Sequence, residues 1–210
     1  MQGPDLSLIA FFQILDLFGT MAFAVTGAFK AIEHRSDIVG IVILSTITGV
    51  AGGVTRDIVF GKIPPTAFVD PHYIIITVTT ATVIFFLYPS LKKHWNLFVK
   101  FDAIGVGIFT VIGSTFAYNL FGLNFLAMSL SGILTAIGGG ILRDVFVSEI
   151  PLVFVKEFYA SASFAGVITL FAMLSLNVNA SFAAIVAIIM TTSIRLVAVK
   201  FNWNLPKARS

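Results

Sequence analysis

The strongest constraint on this chain is a series of seven apolar runs that occupy most of its length. Each run is close to the roughly 20 residues that a helix needs to cross a bilayer, and the links between runs are short. The runs do not alternate apolar and polar residues, as the strands of a membrane barrel would. They are Leu8–Ile32, Ile38–Val54, Tyr73–Tyr88, Ala103–Leu120, Phe125–Leu142, Phe158–Leu176 and Ser181–Val199. The pattern predicts an all-α membrane protein with one transmembrane domain over residues 1–210.

The composition indicates that most of the protein surface faces lipid. Of 210 residues, 58% are hydrophobic and 11% are charged, whereas soluble proteins carry about 25% charged residues. Cysteine is absent, and His34, His72 and His94 lie in or near separate loops without the spacing of metal ligands. No nucleophile–His–Asp arrangement or phosphate-binding glycine loop is recognisable. The sequence therefore predicts no enzyme, no resident cofactor and no metal site, and the net charge of +3 does not indicate nucleic acid.

The basic residues predict how the chain is oriented. If the N-terminus is outside, only Arg56 and Lys62 fall on the outer side, and Arg195 lies inside the last run. The other ten fall on the inner side: Lys30, Arg35, Lys92, Lys93, Lys100, Arg143, Lys156, Lys200, Lys207 and Arg209. Because loops rich in Lys and Arg stay in the cytoplasm, we predict an external N-terminus and a cytoplasmic C-terminus.

An internal repeat divides the chain. The segment Ala51-Gly-Gly-Val-Thr-Arg-Asp57, followed by Ile63-Pro64, recurs 87 residues later as Gly138-Gly-Gly-Ile-Leu-Arg-Asp144, followed by Ile150-Pro151. Upstream, four residues recur at an offset of 86: Asp16, Gly19, Phe23 and Gly27 correspond to Asp102, Gly105, Phe109 and Gly113. Such constant spacing indicates duplication. Each unit, 8–88 and 101–176, holds three runs, so the second unit must enter the membrane inverted, with 181–199 as an extra helix.

The glycine clusters in the second and fifth runs allow two interpretations. Glycine weakens a helix by about 1 kcal/mol relative to alanine, so each cluster could unwind and turn backbone carbonyls toward a pore. Alternatively, small residues could let two helices pack closely. We favour the pore interpretation because each cluster adjoins a charged pair within the repeat. The candidate pore glycines are Gly52, Gly53, Gly138, Gly139 and Gly140.

Hydroxyl side chains precede both glycine clusters, and they also have two interpretations. They could hydrate a permeating ion, or they could form hydrogen bonds between helices, which is the commoner role of Ser and Thr in membranes. The candidates on the second run are Ser45, Thr46 and Thr48, and those on the fifth run are Ser129, Ser131 and Thr135.

The repeated Arg-Asp pairs suggest two symmetric salt bridges. Adjacent residues on a helix do not face each other, so Arg56–Asp57 and Arg143–Asp144 are not expected to neutralise each other. We predict instead that Asp16 pairs with Arg56 and that Asp102 pairs with Arg143. The alternative is that each charge reaches the headgroups separately, as we expect for Arg195.

The motifs Gly52-Gly53-x-x-Arg56-Asp57 and Gly138-Gly139-Gly140-x-x-Arg143-Asp144, each followed by Ile-Pro, resemble those of the prokaryotic trimeric intracellular cation (TRIC) channels. The resemblance covers nearly the whole chain. It extends to a superfamily that includes bacterial proteins regarded as glycine transporters. It implies a homotrimer in the prokaryotic inner membrane, with surrounding lipid and with one pore per subunit lined by the kinked second and fifth helices. Ala51 stands where the full triple glycine would begin.

Three functions remain open at this stage. The resemblance implies a channel mainly for potassium, with sodium as a second permeant ion. A secondary transporter for a small zwitterion such as glycine would suit the same inverted repeat. A membrane scaffold without transport is the third. If the glycines line a pore, Gly139→Leu should block conduction and leave folding and assembly largely intact.

Overall fold

The computed structural model describes residues 6–91, 95–155 and 158–203. Within these ranges the chain is helical apart from its turns, and no strand occurs. Several residues used above lie outside the described ranges: Lys92, Lys93, His94, Lys156, Lys207 and Arg209.

The described residues form seven long helices and two helices of four residues each. In chain order the helices are α1 (Leu6–Glu33), α2 (Ile38–Val59), α3 (Thr66–Val69), α4 (His72–Leu91), α5 (Trp95–Phe121), α6 (Phe125–Phe146), α7 (Leu152–Val155), α8 (Ala160–Ser175) and α9 (Ala180–Lys200). The short helices α3 and α7 fall in links for which the sequence predicted no structure.

Six of these helices are long and apolar enough to cross a membrane: α1, α2, α4, α5, α6 and α9. The apolar helix α8 has 16 residues and is shorter than the predicted run. Large apolar side chains such as Phe86 and Leu126 are about 70% exposed on the outside of the bundle. A soluble protein rarely exposes so many apolar side chains together, so the fold is that of an all-helical membrane protein.

Both Arg-Asp pairs lie inside helices that extend beyond the predicted apolar runs. The second and fifth runs were predicted to end at Val54 and Leu142, but α2 continues to Val59 and α6 continues to Phe146. Apolar content alone ends a predicted run at the first charges. The helices continue because these charges are buried and paired within the protein and do not face lipid.

Helices α2 and α6 begin with the same capping arrangement. The side chain of Asp37 accepts a hydrogen bond from the Gly40 backbone N–H at 2.8 Å, and Asn124 accepts one from Ala127 at 3.1 Å. Each cap provides an acceptor for a backbone donor that has no partner within its own helix. The two glycine-rich helices therefore begin with equivalent caps.

The glycine clusters form a close crossing between α2 and α6. Both helices are continuous α-helix through the glycines, so the local unwinding predicted from the sequence is absent. A methyl group at Gly52 would overlap the Thr135 carbonyl oxygen, and one at Gly139 would overlap the Thr48 carbonyl oxygen. The backbones already fill this space, so the glycines act here as packing residues. A side chain at Gly139 would overlap the Thr48 carbonyl oxygen, so we now expect Gly139→Leu to disturb packing as well as any conduction.

The two halves meet through two reciprocal contacts beside this crossing. The rings of Phe23 and Phe109 pack edge to face, with centroids 5.0 Å apart. A methyl group at Gly105 would overlap the Phe23 ring, and one at Gly19 would lie 2.9 Å from the Phe109 ring. Residues that correspond in the two sequence segments thus make corresponding contacts, and both phenylalanines are buried.

Neighbouring glycines should respond differently to the same substitution. Gly52→Ala places its methyl group against a backbone carbonyl, so we expect the free energy of unfolding to fall by about 1–3 kcal/mol, as in other overpacked interiors. Gly53→Ala is the control, because its methyl group would have only Arg56 Nη2 nearby, at 3.7 Å. Denaturant unfolding in detergent, followed by circular dichroism, measures both. Equal losses for the two variants would contradict the close crossing.

Candidate functional site

A buried guanidinium organises one end of the bundle. Arg143 on α6 is fully buried, and its Nε donates to Asp144 Oδ1 at 2.8 Å. Its Nη1 lies 3.1 Å from Asp102 Oδ1 on α5 and 2.9 Å from Thr26 Oγ1 on α1. The predicted pairing of Asp102 with Arg143 is therefore present. The expectation that Arg143 and Asp144 would not pair was wrong.

The adjacent residues pair because each aspartate also binds the segment that follows its helix. Asp144 Oδ2 accepts the Leu152 backbone N–H at 2.8 Å, at the start of α7. In the first half, Asp57 Oδ2 accepts the Thr66 backbone N–H and hydroxyl, both at 2.8 Å. These contacts hold each carboxylate beside the helix end, where the preceding arginine can reach its other oxygen. The rule that adjacent helical residues do not face each other considers only the two side chains. Here the backbone of the following segment holds each aspartate within reach of its arginine.

The corresponding arginine at the other end has different partners. Arg56 donates from Nε and Nη2 to Asp57 Oδ1, at 2.9 and 2.7 Å. Its guanidinium carbon lies 4.5 Å from the ring centroid of Phe116. Asp16 instead accepts the Tyr73 hydroxyl at 2.6 Å, and among the described residues it forms no ion pair. The predicted Asp16–Arg56 salt bridge is therefore wrong, because Asp57 already neutralises this guanidinium.

Arg195 on α9 belongs to the Arg143 network. The prediction that its charge reaches the lipid headgroups was therefore wrong. Arg195 is 3% exposed, its Nη2 lies 3.3 Å from Asp102 Oδ2, and its guanidinium carbon stacks 4.2 Å from the Tyr159 ring centroid. Tyr159 in turn donates its hydroxyl to Asp102 Oδ1 at 2.9 Å. Two carboxylates, Asp102 and Asp144, thus balance two guanidinium groups in the interior, which lowers the cost of burying them.

Tyr73 and Tyr159 were missed as site residues. Each donates its hydroxyl to the aspartate of its own half, Asp16 or Asp102. They are 86 residues apart, which is the offset that relates those two aspartates. Extending the repeat comparison to every aromatic position would have found them.

Four of the six predicted pore hydroxyls are buried and bonded to backbone, whereas Thr46 donates to the Thr77 hydroxyl and Ser129 Oγ has no partner among the described residues. Ser45 donates to the Ala24 carbonyl at 2.8 Å, and Ser131 donates to the Gly113 carbonyl at 2.6 Å, so both link neighbouring helices. Thr48 and Thr135 each donate to the carbonyl four residues earlier on their own helix, at 2.6 and 2.7 Å. Of the two interpretations left open, hydrogen bonding within the protein describes these four hydroxyls in this conformation.

A cavity of about 540 Å³ lies at the Arg56 end. Its lining combines charged and polar groups with apolar side chains of α1, α5 and α8. The polar and charged lining residues include Gln13, Asp16, Arg56, Lys62, Thr66, Asp70, Tyr73 and Asn119. A narrow cleft that shares some of these residues extends to Gly49, Gly53 and Phe109. The cavity therefore leads toward the α2–α6 crossing.

Asp70 supplies a charge in the loop between α3 and α4. The His72 backbone N–H donates to Asp70 Oδ1 at 3.0 Å, and His72 Nδ1 lies 2.6 Å from the same oxygen. These hydrogen bonds, the backbone one first, lower the pKa of Asp70 below its ordinary value. Asp70 is therefore ionised at neutral pH and makes the lining of the cavity more negative.

Removing the negative charge from the two equivalent aspartates should have unequal effects. Asp102→Asn leaves two buried guanidinium groups with one carboxylate, so we expect a loss of about 3–5 kcal/mol in the free energy of unfolding. Asp16→Asn keeps an acceptor for Tyr73 and borders the cavity, so its loss should be within about 1 kcal/mol. Denaturant unfolding of both variants in detergent tests this difference. A larger loss for Asp16→Asn would show that the described networks are not those that stabilise the fold.

Comparison with known proteins places this geometry in a family. The sequence model described as "Glycine transporter" matches two segments of the chain, residues 13–89 and 99–175. The inner membrane protein YadS of Escherichia coli K12 is 32% identical over 195 residues, which is 91% of this chain and 93% of that protein. The membrane protein YvgT of Bacillus subtilis is 33% identical, over 92% of this chain and 95% of that protein. These are membrane proteins and not members of an enzyme family.

Solved structures agree with the sequence comparison. A TRIC cation channel superposes with a TM-score of 0.86 at 32% identity, covering 95% of this chain and 98% of that one. The TRIC orthologue from Rhodobacter sphaeroides superposes with a TM-score of 0.87 at 29% identity, covering 91% and 98%. The chain therefore belongs to the membrane protein family described as glycine transporters, and it has the fold of the prokaryotic TRIC channels.

Proposed function

We propose that this protein is a monovalent cation channel, mainly for potassium, in which each subunit of a homotrimer has its own pore. The observation that carries the proposal is the likeness to a TRIC cation channel at a TM-score of 0.86 and 32% identity over nearly the whole length of both chains. The local geometry is consistent with it. A cavity with both charged and apolar lining lies on one side of the α2–α6 crossing, with a narrow cleft beside α2, and a compensated charge network lies on the other side.

The described conformation corresponds to a closed pore. At the crossing, α2 and α6 approach so closely that a methyl group at Gly52 or Gly139 would overlap backbone. Conduction therefore requires the two helices to separate. Separation would expose backbone at Gly53, Gly138 and Gly140, because glycine has no side chain to cover it. Four hydroxyls would then leave their backbone carbonyl partners and contact the permeating ion and its water. They are those of Ser45, Thr48, Ser131 and Thr135.

The charged groups would control entry and opening. Asp16 and Asp70 border the cavity and would attract cations, while Asp57 neutralises Arg56 and so limits repulsion. At the other end, Asp102, Arg143 and Asp144 bind α5 to α6 and would have to rearrange when the crossing opens. Arg143 Nη2 has no hydrogen-bond partner among the described residues, so it is available for a new contact in such a rearrangement.

We further propose that the membrane topology consists of two inverted units and an extra helix. The first unit is α1, α2 and α4, the second is α5, α6 and α8, and α9 is the extra helix. The reciprocal packing of Phe23 and Phe109 and the equivalent caps Asp37 and Asn124 support this arrangement. In this topology the Arg56 end is external and the Arg143 end is cytoplasmic.

The proposed orientation can be tested directly because the chain has no cysteine. Ser7→Cys and Ser36→Cys place single thiols near the two ends of α1. A membrane-impermeant maleimide should label Ser7→Cys in intact cells, and it should label Ser36→Cys only after the membrane is permeabilised. The unsubstituted protein controls for background labelling. The reverse labelling pattern would invert the topology.

Channel activity is tested by recording purified protein in planar bilayers. We expect discrete openings whose reversal potential follows the potassium gradient. Asp16→Asn should lower the potassium conductance about two- to threefold, because a carboxylate at the pore entrance concentrates cations. The charge-conserving variant Asp16→Glu is the matched control. Absence of discrete potassium openings, with folded protein in the bilayer, would contradict the channel proposal.

A secondary transporter for a small zwitterion such as glycine is the alternative. Two observations favour it: the description of the matching family, and a cavity that presents the carboxylate of Asp16 together with the ammonium group of Lys62. In proteoliposomes, saturable glycine uptake without discrete current openings would support the transporter. Potassium openings that are unaffected by glycine would support the channel.

A further inference from the structure

The two ends of the bundle contain the same Asp–Tyr pair in different surroundings. At the Arg143 end, Asp102 and Tyr159 hold the side chain of Arg195 from α9. At the Arg56 end, Asp16 and Tyr73 border the cavity of about 540 Å³. Among the described residues, no arginine forms an ion pair or hydrogen bond with Asp16.

Arg195 shows how an Asp–Tyr pair of this kind holds a cation. One guanidinium nitrogen, Nη2, lies 3.3 Å from Asp102 Oδ2, and the guanidinium carbon lies 4.2 Å from the centre of the Tyr159 ring. Tyr159 donates its hydroxyl to the other oxygen, Asp102 Oδ1. The pair thus offers a carboxylate oxygen and an aromatic face, which are the two features that bind a planar guanidinium.

Asp16 and Tyr73 present the same groups to the cavity. Tyr73 donates to Asp16 Oδ2 at 2.6 Å, as Tyr159 does to its aspartate, and both residues line the cavity. No other hydrogen bond or ion pair to Asp16 occurs among the described residues. Its Oδ1 is therefore available for a cation that enters the cavity.

The charges around the cavity favour a cation over an anion. The charged side chains that line it are Asp16, Arg56, Lys62 and Asp70. Asp57 neutralises Arg56 through two hydrogen bonds to its Oδ1, and Lys62 is exposed. Asp16 and Asp70 then face one uncompensated cation, Lys62, so the cavity lining as a whole carries an excess of negative charge.

The remaining cavity wall is suited to a hydrocarbon chain. It includes apolar side chains from three helices: Leu8, Ile9, Phe12, Ile112, Leu170 and Leu174. We propose that this cavity is a binding site for an alkylguanidinium, with its guanidinium group on Asp16 and Tyr73 and its alkyl chain against these apolar side chains. Arg195 occupies the equivalent position at the other end with the same chemical group. The site goes beyond the proposed function, because binding requires neither conduction nor transport.

Equilibrium binding tests the proposal with butylguanidinium chloride and its neutral, nearly isosteric analogue butylurea. Isothermal titration calorimetry of the purified protein in detergent should detect butylguanidinium binding that is at least about tenfold tighter than butylurea binding, because only the cation forms a charge-assisted hydrogen bond. Asp16→Asn should weaken butylguanidinium binding about tenfold or more. Asp70→Asn is the matched control: it removes one negative charge from the same cavity, and its effect should stay below about threefold.

Equal affinity for butylguanidinium and butylurea in the unsubstituted protein would overturn the proposal and show that the cavity is an apolar groove. This comparison does not depend on the folding of any variant. A larger effect for Asp70→Asn than for Asp16→Asn would also overturn it, because the cation would then bind at the cavity mouth.

Current recordings separate this proposal from the channel proposal. If the protein conducts potassium, butylguanidinium added at the Arg56 end should reduce the current at concentrations near its dissociation constant, and butylurea should not. Binding in detergent without any potassium current would leave the site intact and contradict the channel. Potassium current without butylguanidinium binding would contradict the site alone.

Discussion

The structure depends on compensation of guanidinium groups that are buried inside a membrane protein. An isolated charge at this depth costs several kcal/mol, so it must be paired by groups that the fold supplies. Arg143 meets this requirement with carboxylates from α5 and from its own helix, and with a hydroxyl from α1. Asp144 in turn holds the start of α7. A single charge thus fixes the relative positions of α1, α5, α6 and α7.

Helix α9 makes the surroundings of the two Asp–Tyr pairs unequal. In both halves a tyrosine donates to an aspartate, and an Arg-Asp pair ends the glycine-rich helix. Only at the Arg143 end does α9 add Arg195, which binds Asp102 and stacks on Tyr159. The other end retains a cavity beside Asp16. An arginine that would be costly in lipid is thus paired at one end of the bundle, and a cavity borders the corresponding aspartate at the other end.

The glycine clusters combine two properties that are relevant to permeation. They allow α2 and α6 to pack backbone against backbone. The hydroxyls of Ser45, Thr48, Ser131 and Thr135 are satisfied by carbonyls of the protein in this conformation. The same glycines would leave polar backbone uncovered if the helices moved apart. The same glycine segments can therefore pack closely in one conformation and present polar backbone groups if α2 and α6 separate.

The sequence by itself determined the helical membrane class and the approximate helix positions, whereas its symmetry argument was right for Asp102 with Arg143 and wrong for Asp16 with Arg56. Hydrophobic length and repeat spacing are properties of the chain order, so they can be read without coordinates. Only the tertiary structure decided that both glycine helices are continuous, that Asp16 pairs with Tyr73, and that Arg195 turns inward. Those outcomes depend on which groups from distant segments surround each charge, because a buried charge takes whichever partner the packed helices bring within reach.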